Sequence, residues 1–306
     1  MRAARWITVV AAGSMTFAGC SGDDGAAAPK TTTTRPEAPT TTTTVAEPTT
    51  TTAIVSEEQV PVAASTPAGV ADQIVEAERA IRDPGNSPEE LAWFGHLQQV
   101  AYRAVARHPA WDAAVSAAVP EDLRPIVAAN VTATRELTTL VRKPRDTLPA
   151  WHIVAPAPAD ELQRYYQEAE AEFGVPWQYL AAVHLVETRM GRLRGTSTAG
   201  AQGPMQFLPS TWDAYGEGDI NDNRDAIRAA ARYLKANGAP GRMDDALYRY
   251  NPTPHYVKAV TLYAEEMRRN PRAYLGYYHW QVYYWTIKGD LLLPVGYESE
   301  TEQPVA

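Results

Sequence analysis

The sequence predicts a mainly α protein with one small β element close to its C-terminus. Three observations carry that expectation. Apolar residues recur at three- and four-residue spacing through two long stretches, about 70–142 and 159–270. Prolines and capping residues stand where those helices begin, as in Ser87-Pro88-Glu89-Glu90. The densest run of Tyr, Trp and Val, Tyr277–Ile287, is followed by Lys288-Gly289-Asp290 and a second apolar run, Leu291–Tyr297, which is the pattern of a β-hairpin.

Composition bounds the function. The chain has 306 residues, 45% hydrophobic, enough for one or two domains with a sizeable core. Its formal charge of −8 excludes a basic nucleic-acid reader. A single cysteine excludes a disulfide scaffold and a thiolate metal cluster. Aromatics are skewed to Trp (8) and Tyr (16) over Phe (4), rings with a polar handle that suit half-wet grooves as well as cores.

That cysteine closes the first element. Residues 1–20 carry Arg2 and Arg5, a short apolar run from Trp6 to Ala12, and small residues, a signal peptide too short to remain as a membrane helix. Phe17-Ala18-Gly19-Cys20 resembles the lipobox of bacterial lipoproteins, with Phe17 where Leu is usual. The resemblance implies cleavage before Cys20, lipid on its sulfur, and anchoring to a membrane on the extracytoplasmic side of a bacterial cell envelope. The alternative is an ordinary secretory signal with a stray cysteine. Without Arg2 and Arg5 the chain has 26 basic against 36 acidic residues, so the lipid and not charge would do the anchoring.

Residues 21–70 follow as a tether. Thirteen threonines within 31–52, broken by Pro36, Pro39 and Pro48, have nothing to bury. An O-glycosylated stalk has the same composition. Residues 71–147 form an N-terminal helical region, with segments near 70–82, 88–107, 110–118 and 121–142 and a proline-broken connection from Pro144 to Pro158. Residues 148–275 hold the second helical block, with starts near Asp160, Pro176, Ser210 and Asn223. Residues 276–306 hold the hairpin and tail.

The chemistry concentrates in the second block. Pro176–Gly191 reads as a helix with Pro176 at N1 and Gly191 as the stop. It is apolar nearly all round and therefore buried, His184 included. Glu187 lies in one of its apolar stripes, between Val183, Val186 and Met190. Burial and the negative end of the helix dipole both disfavour a charged carboxylate and raise its pKa. A carboxyl protonated near neutral pH is what a general acid requires. The structural alternative is a glutamate paired with Arg189 or Arg192. A glycine-punctuated loop follows, Gly195–Pro209, and then Tyr250-Asn251 and Tyr256-Val257.

These three segments resemble the lytic transglycosylase branch of the lysozyme-like superfamily. Glu187-Thr188 is similar to the E-S/T motif that carries the catalytic acid. Gly200-Ala201-Gln202-Gly203-Pro204-Met205-Gln206 is similar to G-A-x-G-x-M-Q. Tyr250-Asn251, with Tyr256 downstream, is similar to the third motif, although Pro252-Thr253 replaces the usual A-G. The resemblance covers about 160–270, and the wording of the first two motifs looks like the membrane-bound B-type enzymes. It implies a lysozyme-like (goose-type/SLT) helical fold and an enzyme acting on peptidoglycan glycan strands. In that chemistry Glu187 is acid and then base, and the product is a 1,6-anhydro-muramyl end. Thr188, Gln202, Met205, Gln206, Tyr250, Asn251 and Tyr256 become candidate substrate-binding residues. Each has a structural alternative: Met205 as core, Tyr250 as a buried hydroxyl with a backbone partner, Asn251 as a helix-end cap. No cofactor is expected. The calcium loop of some B-type relatives corresponds to Asp213–Asp222, where Tyr215 stands at a ligand position and an acidic turn is the better reading. Trp177, Trp212 and Tyr215 are expected in the core rather than against sugar. A muramidase with the same site, and a non-catalytic peptidoglycan-binding scaffold, are the competing functions.

Overall fold

A computed structural model describes residues 60–141 and 143–305. The expected signal peptide, Cys20 and most of the expected tether lie outside these residues.

The N-terminal helices are α1 (Pro67–Arg82), α2 (Pro88–Arg107), α3 (Asp112–Ala118) and α4 (Arg124–Thr139), with a 3-10 turn at Pro109–Trp111. The first two begin on side-chain caps that their sequences supply. The Thr66 side chain accepts from Gly69 N to start α1. At α2 the Ser87 hydroxyl accepts from Glu90 N while the Glu90 carboxylate accepts from Ser87 N, a complete capping box with Pro88 at N1. Order begins before residue 70, because the Gln73 side chain bonds both Val62 O and Ala64 N. Residues 62–70, which the sequence pattern assigns to the tether, are therefore folded onto α1.

The second block contains α5 (Ala159–Phe173), α6 (Trp177–Thr188), α7 (Pro209–Tyr215), α8 (Asn223–Ala236), α9 (Met243–Tyr250), α10 (Pro254–Arg269) and α11 (Ala273–Tyr278). Helix α6 is central: every residue from Leu180 to Thr188 is buried. It packs against α5 and α10, and α10 packs in turn against α4. One continuous core therefore runs from Val70 and Tyr102 through Leu180 to Tyr263 and Tyr277.

Two close contacts join the blocks. A side chain at Gly95 of α2 would lie 2.7 Å from the Gly276 carbonyl oxygen of α11, so these helices meet backbone to backbone. Nearby, the buried Glu78 carboxylate accepts from Gln98, Tyr102 and Arg82, and Arg82 also reaches Glu266 of α10 at 2.6 Å. Desolvation makes an unpaired charge at such depth costly, and the network leaves neither carboxylate alone.

The hairpin pairs β4 (Val282–Thr286) with β5 (Gly289–Leu293) in antiparallel register, Val282 opposite Leu293 and Thr286 opposite Gly289. Its turn is Ile287-Lys288, one residue earlier than expected, and Gly289 takes a φ of 102° that suits glycine. Tyr277 and Tyr278 belong to α11 instead of the hairpin, because the Tyr277 hydroxyl is drawn inward to Asn130 at 2.7 Å. Two further short strand pairs were not expected. β2 (His152–Ile153) pairs with β3 (Leu193–Arg194), and β1 (Thr147–Leu148) pairs with β6 (Gln303–Pro304), so the tail returns to the proline-rich connection.

Candidate active site

Glu187 sits in the last turn of α6, 1% exposed. Its Oε1 accepts a 2.8 Å hydrogen bond from the Tyr256 hydroxyl of α10, and its equally buried Oε2 has no partner among the described residues. Burial raises the carboxyl from its ordinary 4.5 to about 8, against the smaller opposing effects of the Tyr256 bond and the Arg189 charge. The structural alternative is not realised. Arg189 donates to the Leu185 carbonyl, Arg192 lies over the Tyr278 ring at 5.4 Å, and neither forms an ion pair with Glu187.

The helix ends at Thr188, earlier than the expected Gly191 stop, and Pro176 is its N-cap rather than N1. Arg189, Met190 and Gly191 all take positive φ, 55°, 59° and 80°. Backbone bonds from this turn to the carbonyls of His184 and Leu185 hold the strained residues in place. Thr188 fastens it from both sides. Its hydroxyl donates to Pro204 O at 2.6 Å and accepts from Gly191 N at 3.0 Å, which ties the glycine loop to the helix bearing Glu187.

Within that loop Gly203 has a φ of 73°, and a Cβ there would fall 1.9 Å from the Ile220 carbonyl oxygen. No other residue fits. Gln202 and Phe207 exchange backbone bonds of 2.8 Å across the turn. The Gln206 amide, at φ 51°, donates to Gly203 O, and Met205 is wholly buried. The Tyr250 hydroxyl donates to Met205 O at 2.6 Å, the backbone partner of its alternative reading, and stays close enough to Glu187 for their charges to interact. The tyrosine that meets the acid is Tyr256, whose ring lies parallel to that of Tyr250 at 6.3 Å. Asn251 is buried as the C-cap of α9. His184 is buried and neutral, bonded to Tyr166 at 2.7 Å, with burial lowering its pKa to about 3. Trp177, Trp212 and Tyr215 pack edge-on against Tyr274, Phe207 and Tyr233. In the acidic turn the Asp219 carboxylate accepts from Asn221 N, and the Asp225 carboxylate, in the first turn of α8, accepts from Asp219 N.

Glu187 opens into a recess whose walls come largely from outside the three motifs. Gln99, Arg103 and Arg107 of α2 and Thr134, Leu137 and Thr138 of α4 form one side. Trp151, Trp280 and Val282–Trp285 form another, with Thr188, Arg189 and Tyr263 beside the acid. Arg103 lies 5.0 Å over the Tyr283 ring and Arg107 5.3 Å over Trp285, and both also bond Asp290, so α2 and the hairpin close on each other. Sequence reading missed this wall. Two signals pointed to it: the Arg103/Arg107 pair at i, i+4 on one helix face, and the aromatic run through Trp285.

Comparison with known families supplies the decisive observation. The model described as "Transglycosylase SLT domain" matches residues 164–270, which spans all three motifs. Residues 164–270 are similar to that domain family. The mostly helical structure is the lysozyme-like one this domain implies. Two curated relatives are similar to part of this chain, both named membrane-bound lytic murein transglycosylase F. That of Thiobacillus denitrificans is 29% identical over 37% of this chain and 26% of its own length; that of Nitrosospira multiformis is 30% identical over 38% and 26%. The chain thus spans about a quarter of the length of the curated relatives it matches, and they are F-type where the motif wording suggested B-type. No solved structure matches. The matched segment covers Glu187, Thr188, the glycine loop, Tyr250 and Tyr256, and the α2, α4 and hairpin wall lies outside it.

Proposed function

We propose that the chain is a peptidoglycan lytic transglycosylase of the bacterial cell envelope, cleaving the β-1,4 bond between N-acetylmuramic acid and N-acetylglucosamine, with Glu187 as acid and then base. The observation that carries this is the single buried carboxyl at the recess, held on one oxygen by Tyr256 and free on the other, inside an SLT domain. Among the described residues lining the recess Glu187 is the one carboxylate. Hydrolytic glycosidases ordinarily set two carboxyl groups across the bond. A lone acid suits a route in which the substrate supplies the nucleophile.

Glu187 holds a proton to about pH 8 and gives it from Oε2 to the glycosidic oxygen as the bond to C1 breaks. The carboxylate so formed keeps the Tyr256 hydrogen bond, which favours the charged form. It then takes the proton of the muramyl 6-hydroxyl as that oxygen bonds to C1. The acid is regenerated, no water is consumed, and the product ends in 1,6-anhydro-N-acetylmuramic acid. Thr188 lines the recess, while Gln202, Met205, Gln206, Tyr250 and Asn251 do not and serve this reading by holding the glycine loop and the end of α9 in place through the bonds described above. The reading needs no cofactor.

Anchoring belongs to the same proposal. Among the described residues no helix is long and apolar enough to cross a membrane. The lipobox-like end at Cys20 gives the chain another attachment, through lipid.

Mass spectrometry of products from purified peptidoglycan tests the activity. Anhydro ends, one water lighter than reducing ends, are expected from the parent and absent with Glu187→Gln. Reducing ends would make the protein a muramidase, and no products at all a scaffold.

A further inference from the structure

We infer that Arg189, Arg103 and Arg107 form a carboxylate-binding subsite beside Glu187 that takes an acidic side arm of the glycan strand; the inference rests on the peptidoglycan reading above. Apart from its tyrosines, the recess is lined by four charged or ionisable groups. Three are these arginines, and the fourth is Glu187, which its burial keeps protonated at neutral pH. Asp290 balances part of this charge by bonding Arg103 at 2.6 Å and also Arg107. Arg189 has no such partner. It makes no ion pair among the described residues, and one of its terminal nitrogens donates to the Leu185 carbonyl at 2.6 Å. Burial, with a contribution from the like charge of Arg103, lowers its pKa to about 10, so it stays charged.

A partly buried guanidinium beside a second one is costly unless an anion joins them. The strained αL backbone at Arg189 fixes where its side chain leaves the turn. Planar guanidinium groups match a carboxylate with paired hydrogen bonds. Size agrees with charge. The recess has a free volume of about 90 Å³, well below the roughly 300–1,000 Å³ of a pocket that encloses a whole small molecule. It fits one arm of a larger substrate while the polymer runs across the mouth. Two arms of a peptidoglycan strand carry a carboxylate: the lactyl group of a peptide-free muramyl residue, and the stem peptide where the lactyl group is amidated.

The test measures binding by calorimetry with full-length Glu187→Gln protein, which cannot turn the ligands over. The probes are a peptide-free tetrasaccharide of alternating N-acetylglucosamine and N-acetylmuramic acid, its lactyl methyl ester, and the same tetrasaccharide bearing stem peptides. At least one acidic probe is expected to bind about tenfold tighter than the ester, the gain of a charge-assisted bidentate contact. Which acidic probe gains identifies the arm. Adding Arg189→Gln should bring the ratio to near unity. Arg103→Gln, which leaves the Arg107–Asp290 pair to dock the hairpin, should lower it as well, and serves if the Arg189 variant does not fold. Equal affinity for all three probes, or a preference that survives both substitutions, overturns the subsite. If the parent cleaves strands without that preference, the subsite alone fails. If it cleaves none, the proposed function fails and the subsite with it.

Discussion

Two tyrosines near Glu187 are separated by where their hydroxyl groups point. Tyr256 bonds the acid itself, and Tyr250 bonds the Met205 carbonyl. Tyr256→Phe removes a bond that favours the ionised carboxylate, so the pKa of Glu187 should rise further. The alkaline limb of kcat/KM, set in the parent near pH 8 where the acid loses its proton, should move upward, and turnover should fall about tenfold. Tyr250→Phe should leave that limb in place and cost about 1–3 kcal/mol of stability, because it strands a buried carbonyl. A pH–rate profile and a denaturation curve for each variant read both effects, and a shifted limb in the Tyr250 variant would contradict the assignment. For Glu187→Gln, turnover should fall roughly 100- to 10,000-fold. Stability carries a sign of its own. The folded carboxyl keeps its proton to about pH 8 while the unfolded chain releases it near 4.5, so the parent loses stability as pH rises between those values and little beyond. Glutamine does not titrate. The melting temperature of the variant should therefore gain on that of the parent from pH 5 to pH 8.5.

Among the elements, α6 and the glycine loop were legible in the sequence and the hairpin wall was not. An all-round apolar helix with one carboxyl predicts its own burial, and a glycine where no Cβ fits marks a turn whatever surrounds it. The direction of each tyrosine hydroxyl was hidden, because it depends on which carbonyl or carboxylate the fold brings within reach. The αL turn at Arg189 was hidden too, since Gly191 offered the usual stop and tertiary contacts imposed an earlier one. The Thr188 hydroxyl gives this element its sharpest test. Thr188→Val keeps the shape and removes both the bond to Pro204 O and the bond from Gly191 N. Stability should drop by about 2–3 kcal/mol, and Thr188→Ser, which keeps the hydroxyl, should restore most of it. A valine variant as stable as the parent would show that these two bonds do not hold the turn.

At the scale of the whole molecule, the expected division into a helical region, a catalytic domain and a hairpin follows the sequence pattern, but the core does not respect it. The boundaries at 147 and 275 came from a proline-rich connection and a change of aromatic content, both local signals. Burial is collective: α4 covers α10, Gly95 meets Gly276, and Arg82 neutralises Glu266 across the first boundary. Residues 148–275 alone would expose the α10 face that carries Tyr263, and would leave Glu266 without the Arg82 bond that compensates its burial. They would also lack α2, α4 and the hairpin around Glu187. That fragment should therefore be unfolded or aggregated. Residues 60–305 should fold with a single cooperative transition and retain activity on isolated peptidoglycan, because none of these contacts is lost. Circular dichroism melting and gel filtration of the two fragments, with product analysis for any that fold, check this. A monomeric 148–275 fragment that melts cooperatively and still forms anhydro ends would show that the SLT segment is self-sufficient, and would reduce the surrounding helices and hairpin to a covering.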